Sequence, residues 1–270
     1  MEITQQRGNR KSKDWWITAF DEKYVKTYVD IVTPSITEMQ SSFLIEKLGL
    51  MRKSNILDLA CGQGRISLEL ARRGHSVLGC DYSEQFVATA RSAARRERLD
   101  ARFIRRDMRS LTYEYEFDSV ISIFTSFGYF DDADNVKVLT GISRALKPKG
   151  KLLIDINNAL GIISTLSKEG KKDSQTGRIA AIKETELSNG LKVKIREEWN
   201  PVTMRWSMTR YWTENGKSRQ YAIDVRLYTL PELKYLMESS GLRCEKVFGG
   251  FDGSAFNSDS KRLIIIASKR

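Results

Sequence analysis

Along residues 15–50 the apolar positions recur at helical spacing. Phe20, Tyr24 and Tyr28 mark one apolar face and Phe43, Leu44 and Leu48 another, with Thr33-Pro34 punctuating the run. The rhythm then changes. Short apolar runs at 55–60, 76–81, 101–105, 117–123 and 151–156 predict strands, and the stretches 65–73, 84–97 and 131–146 between them predict helices. Ser83-Glu84 is a helix start and Lys147-Pro148-Lys149-Gly150 a helix stop. Apolar strands alternating with helices imply an α/β fold, a parallel sheet covered on both faces. Past Ile156 the pattern becomes two-residue alternation over 178–226, broken by Ser188-Asn189-Gly190, Asn200-Pro201 and Glu214-Asn215-Gly216. Asn-Gly favours hairpins because both turn residues need positive φ, so an inserted antiparallel meander of about four strands is expected here. Thr229-Leu230-Pro231-Glu232 opens a helix to Ser239, and strands at 243–248 and 262–267 close the chain. Four segments result: a tail and helical cap (1–50, the tail being 1–14), an α/β core (51–157), the meander (158–226) and a helix with two strands completing the core (227–270).

A chain of 270 residues buries one sizeable core with an elaboration. No apolar run approaches the roughly 20 residues of a membrane helix. The first residues are polar and basic, without the apolar centre of a secretory signal. Cys61, Cys80 and Cys244 are scattered and odd in number, which speaks for a reducing compartment; the cytoplasm is expected. The net charge is +11, from 45 Lys and Arg against 34 Asp and Glu. Such a field attracts phosphates and keeps RNA among the partners to weigh. Arg91, Arg95 and Arg98 recur at helical spacing, however, as on a solvated helix face.

The candidate chemistry is concentrated in Asp58-Leu59-Ala60-Cys61-Gly62-Gln63-Gly64, a small-residue loop between a strand and a helix, where backbone can press against a nucleoside. Asp58 would repel a pyrophosphate and hold a cation, which suits the ammonium and sulfonium of S-adenosylmethionine (SAM). Asp81, 17 residues past Gly64 at the end of the second strand, is placed for ribose hydroxyls, with Tyr82 beside it. Ser67 stands where a dinucleotide fingerprint would need its last glycine, so a dehydrogenase fits poorly. Asp107-Met108, after the third strand, suits the amino group and ring of adenine.

On these residues the chain resembles the class I SAM-dependent methyltransferases. The glycine-rich loop of that family corresponds to Asp58, Gly62 and Gly64, its ribose acid to Asp81 and its adenine-side acid to Asp107, with Ala60 replacing a first glycine. The resemblance covers about 15–157 and 227–270, including Leu227-Tyr228-Thr229 and the last strand pair. The meander resembles the lid of small-molecule N-methyltransferases, those acting on amino sugars in particular. The resemblance implies a Rossmann-like seven-stranded sheet with an antiparallel last strand, SAM across the strand ends as cofactor, and substrate approaching along 124–130. It also implies that Tyr24, Ala60, Cys61, Arg65 and Phe124 join the cofactor site, Arg65 against the SAM carboxylate. For the acceptor it suggests Tyr129, Trp199 and Tyr228.

No catalytic base is assigned. Tyr129 stands where amino-sugar enzymes tend to carry a histidine, and the single histidine, His75, is expected on the surface between a helix and a strand. Neither histidine nor cysteine is spaced for a metal. The Pro-Pro-aromatic motif of base-modifying enzymes is missing from 124–130. Trp15, Trp16, Trp199, Trp206 and Trp212 suit a substrate pocket, a homodimer interface or plain packing. Methyl transfer to nitrogen or oxygen of a small molecule is therefore expected. An RNA or protein methyltransferase and a SAM-binding protein without turnover are the alternatives, and no membrane partner is expected.

Overall fold

In the computed structural model, residues 14–270 are described; the expected tail lies outside them except for Asp14. Residues 15–50 form three helices: α1 (Trp16–Ala19), α2 (Glu22–Lys26) and α3 (Pro34–Leu48). Asp21 interrupts the run because its carboxylate caps α2, accepting from the amides of Lys23 (2.8 Å) and Tyr24 (3.3 Å). Thr33 caps α3 in the same way, with Pro34 in the first turn.

The core alternates as expected: β1 (Asn55–Leu59), α4 (Arg65–Arg72), β2 (Ser76–Asp81), α5 (Glu84–Glu97), β3 (Ala101–Arg105), β4 (Phe117–Ser122), α6 (Asp132–Ala145) and β5 (Leu146–Asn157). The predicted stop at 147–150 does end α6, but the strand already begins at Leu146. The four residues bulge out of the ladder, which resumes at Ser119 opposite Lys151. Next comes α7 (Ala159–Glu169), unanticipated in a segment read as strands, and then β6 (Lys171–Lys172), β7 (Ile179–Glu186), β8 (Lys192–Asn200), β9 (Arg205–Glu214) and β10 (Lys217–Arg226). Asn215 and Gly216 both have positive φ (52° and 70°), the two-residue turn that joins β9 to β10. The chain ends with α8 (Leu230–Ser239), capped by Thr229 and Glu232, followed by β11 (Leu242–Phe248) and β12 (Arg262–Lys269).

The first sheet has seven strands in the order β11-β12-β5-β4-β1-β2-β3, with β12 antiparallel to both neighbours. Helices cover both faces, and Leu57, Val120, Leu152 and Ile265 are fully buried at its centre. The second is a five-stranded antiparallel sheet, β10-β9-β8-β7-β6. Its inner face packs on Tyr28, on Phe124 after β4, and on Ala159 and Leu166 of α7. It therefore stands at the end of the large sheet where β1 and β4 finish. His75 corrects the sequence reading: only 3% is exposed. The chain leaving α4 turns inward, the imidazole bonds the Met51 carbonyl, and burial pulls its pKa below the usual value.

Candidate active site

A cavity of about 200 Å³ opens where β1, β2, β3 and β4 end. Strand crossovers on both sides leave this crevice in doubly wound sheets. Tyr24, Asp58, Ala60, Cys61, Gly62, Arg65, Asp81, Tyr82, Asp107, Met108, Phe124 and Tyr129 line it. Gly64 does not; it lies behind the loop, where an added Cβ would meet the Phe103 ring at 2.8 Å. At φ 79°, Gly64 also holds a left-handed turn that starts α4, so shape and space both require glycine.

The acids differ in what holds them. Asp58 is 2% exposed and accepts from the Ser67 hydroxyl at 2.6 Å. It has no ion pair among the described residues, and burial lifts its pKa to about 7 against the opposing pulls of Ser67 and Arg65. Asp81 accepts the Gly62 and Ser83 amides, each at 2.8 Å, which ties the glycine loop to the start of α5. Burial raises its pKa, and these backbone bonds oppose the shift. Asp107 is already engaged: the Arg109 guanidinium lies against its carboxylate, the shortest approach being 2.6 Å. Arg109 also reaches Asp134 at 2.8 Å and stacks over Phe130 and Trp16. That clamp was not legible in the sequence, because its members lie in three separate stretches, at 16, 107–109 and 130–134. Arg65 donates to the Thr37 hydroxyl at 3.0 Å at the start of α4.

The other end of the cavity is aromatic. Trp16, Phe20, Tyr24 and Tyr28 come from α1, α2 and the turn after α2; Phe124, Tyr129 and Phe130 come from the loop after β4. Tyr129 stacks on Phe20 with centroids 5.5 Å apart. Burial pushes the Tyr24, Tyr28 and Tyr129 hydroxyls above the usual tyrosine pKa, so they stay protonated at neutral pH. Trp199 and Tyr228 are not in the cavity wall. Trp199 packs within the second sheet's inner cluster. Tyr228 is 1% exposed and its hydroxyl is bonded to Asp132 (2.6 Å) and Asn135 (2.9 Å). That makes it a core residue joining α6 to the start of α8.

Phe124 and Thr125 both have left-handed φ, 62° and 61°, a strained pair for residues with side chains. Asp155, 1% exposed, holds them: it accepts the Phe124 amide at 2.8 Å and pairs with Arg262 at 2.7 Å, and Arg262 donates to the Thr125 hydroxyl at 3.0 Å. An acid inside the apolar run Leu152-Leu153-Ile154-Asp155-Ile156 was the available signal for this role.

Residues 56–150 match a family described as a methyltransferase domain. The chain is 25% identical to a putative methyltransferase, YqeM, of Bacillus subtilis over 222 residues, 82% of this chain and 86% of that one. To a glycine/sarcosine N-methyltransferase of Halorhodospira halochloris it is 30% identical over 152 residues, 53% of this chain and 57% of that one. Among solved structures, a SAM-dependent methyltransferase from Clostridium acetobutylicum superposes with a TM-score of 0.74 at 19% identity, covering 92% of this chain and 98% of that one. The sugar N-methyltransferase KedS8 from a Streptoalloteichus species gives 0.66 at 16% identity over 100% and 98%. The cavity fits the S-adenosylmethionine named for the Clostridium enzyme, since a buried Asp58 without an ion pair among the described residues, beside a nucleoside-sized crevice, suits a cationic ligand. Residues 56–150 therefore carry a methyltransferase domain, and the chain as a whole has the fold of the SAM-dependent methyltransferases it resembles.

Proposed function

We propose that this methyltransferase acts on a small molecule, at nitrogen, and that the cavity residues divide the work along its length. Asp81 takes the ribose hydroxyls, Met108 and the free lone pairs of Asp107 take adenine, and Asp58 with Arg65 takes the ammonium and carboxylate of the methionine part. Tyr24, Phe124 and Tyr129 stand beside the sulfonium. SAM supplies there an electrophilic methyl group on a cationic sulfur. The protein's part is alignment and exclusion of water, which an in-line displacement needs most. As the acceptor's lone pair forms the new bond to carbon, the S–C pair passes to sulfur, leaving a thioether. An amine acceptor enters this step in its neutral form, its ammonium proton having gone to water, and the methylated amine then releases its extra proton to water. A hydroxyl acceptor would need a base, and Tyr24, Tyr28 and Tyr129, held protonated by burial, offer none. That favours nitrogen over oxygen.

The observation carrying this reading is the aromatic end of the cavity. α1 and α2 wall it, and the second sheet stands behind them through Tyr221, whose ring lies 5.6 Å from Tyr24. Such an aromatic-walled space suits a small acceptor. We assign residues 158–226 the role of lid on this basis. The test is methyl-labelled SAM incubated with a cell extract at about physiological salt, then separated into low-mass, RNA and protein fractions. Label is expected in the low-mass fraction. Label confined to RNA or protein would overturn the proposal.

A further inference from the structure

The inner face of the second sheet carries a buried cation that has no ion pair among the described residues. On β9, Trp206, Arg210 and Trp212 alternate inward, and Trp199 of β8 pairs in register with Trp206. Arg210 is 7% exposed, and among the described residues its guanidinium makes one hydrogen bond, from Nη1 to the Thr27 carbonyl. Its Nε–H is buried without an acceptor, and so are the indole N–H groups of Trp199, Trp206 and Trp212. Glu197, the acid two positions along the same face, is paired instead with Lys183 at 2.9 Å. Buried donors normally find acceptors, and a buried cation normally finds an anion. Four unmet donors on one face of one sheet therefore point to a ligand that brings acceptors and a negative charge.

The position connects this face to the acceptor end of the cavity. Arg210 lies over the Tyr28 ring, 4.3 Å from its centroid, and Tyr28 is part of the cavity wall. The Tyr28 ring thus lies between guanidinium and cavity, and a ligand reaching both requires that side chain to shift. Tyr28 sits just past the end of α2, in the turn that leads to α3. A lone guanidinium presents a planar fork that matches a carboxylate or a phosphate, and its single positive charge is balanced by the single negative charge of a carboxylate.

Resting on the small-acceptor reading above, we propose that Arg210 binds a carboxylate of the methyl acceptor, so that the substrates are small amines bearing a carboxylic acid. The aromatic end of the cavity then receives the amine, and the second sheet selects for the acid. Arg210 is a specificity-determining residue in this scheme, with no part in the bond exchange.

The probes are a panel of amino acids and their carboxamides, assayed with methyl-labelled SAM on wild-type protein, Arg210→Gln and Arg210→Lys. Wild type should methylate acids and discriminate against their carboxamides. Arg210→Gln should raise KM for the acids by roughly 10- to 100-fold, the range for losing a charge-assisted hydrogen bond, with SAM affinity and kcat within about twofold. Arg210→Lys should recover part of the loss. A second readout needs no turnover: the Nε–Hε NMR signal of Arg210, assigned by its absence from Arg210→Lys, should move on adding amino acids and stay on adding carboxamides. A purely structural Arg210 would lower Tm and SAM affinity and leave acid and carboxamide alike, which would overturn the inference. Low-mass acceptors that carry only phosphate, or no anion, would overturn it while leaving the small-molecule reading standing. Labelling of RNA or protein alone would remove both.

Discussion

Asp58 and Asp81 end neighbouring strands, yet the protein holds them differently, and their substitutions should separate. Ionising Asp58 is costly because its burial is offset by little more than the Ser67 hydroxyl. Its folded pKa of about 7 lies above the value of about 4 usual for aspartate in an unfolded chain. Between those values the folded protein keeps a proton that the unfolded chain has released, so this residue lowers stability as pH rises, fully so above the folded pKa. Asp58→Asn should raise the Tm of the protein without SAM at about pH 8 and change it little at about pH 4. The same proton opposes a cationic ligand. SAM affinity should therefore strengthen as pH rises through about 7, with proton release on binding. Calorimetry in two buffers of different ionisation enthalpy reads this directly, and buffer-independent heats would contradict it. Asp81→Asn leaves one oxygen to cap Ser83 or Gly62 and weakens the ribose contact. A loss of about 1.5–3 kcal/mol in SAM affinity is expected, with little change in Tm. Both acids were legible in the sequence because strand, loop and acid are contiguous there. The Arg109 clamp on Asp107 and the burial of His75 were not, since each depends on what the folded chain brings alongside.

At the scale of elements, the loop after β4 shows how a strained segment is kept in place. Phe124 and Thr125 hold their left-handed backbone against Asp155 of β5 and Arg262 of β12. Arg262→Met would leave the Asp155 carboxylate buried without its partner, a change that costs about 3–5 kcal/mol. Thermal unfolding should show a large drop in Tm, and kcat should fall more than SAM affinity because the loop faces the acceptor end. Equal and small effects on both would argue against the loop's role. Strand and helix order in the core followed from periodicity, because each element buries its own apolar face. α7 escaped because Ala159–Glu169 lies in a segment dominated by the two-residue rhythm downstream of it. The division of residues 15–50 into three helices turned on two caps, Asp21 and Thr33, which outweighed a continuous apolar pattern.

At the scale of the molecule, the chain is basic but many of its cations are spent locally. Arg72, Arg91 and Lys147 pair with Glu97, Glu84 and Asp118, and Arg105 and Arg106 lie over the rings of Tyr82 and Tyr113. RNA binding should accordingly be weak and lost at about physiological salt, as measured by filter binding over a salt series. Among the described residues no helix is long and apolar enough to cross a membrane. The position of the second sheet could not be read from the sequence: alternation gives its strands but not the surface they cover. Tyr24, Tyr28 and Phe124, aromatic residues from distant segments, decide that placement by packing against its inner face. In the proposed function one cavity orients the cofactor with its sulfur toward those aromatics and the second sheet. The most direct test is a crystal structure with S-adenosylhomocysteine. Ribose is expected at Asp81, adenine beside Met108, and the thioether sulfur facing Tyr24, Phe124 and Tyr129. A nucleoside bound outside this cavity, or a sulfur turned away from the second sheet, would contradict it.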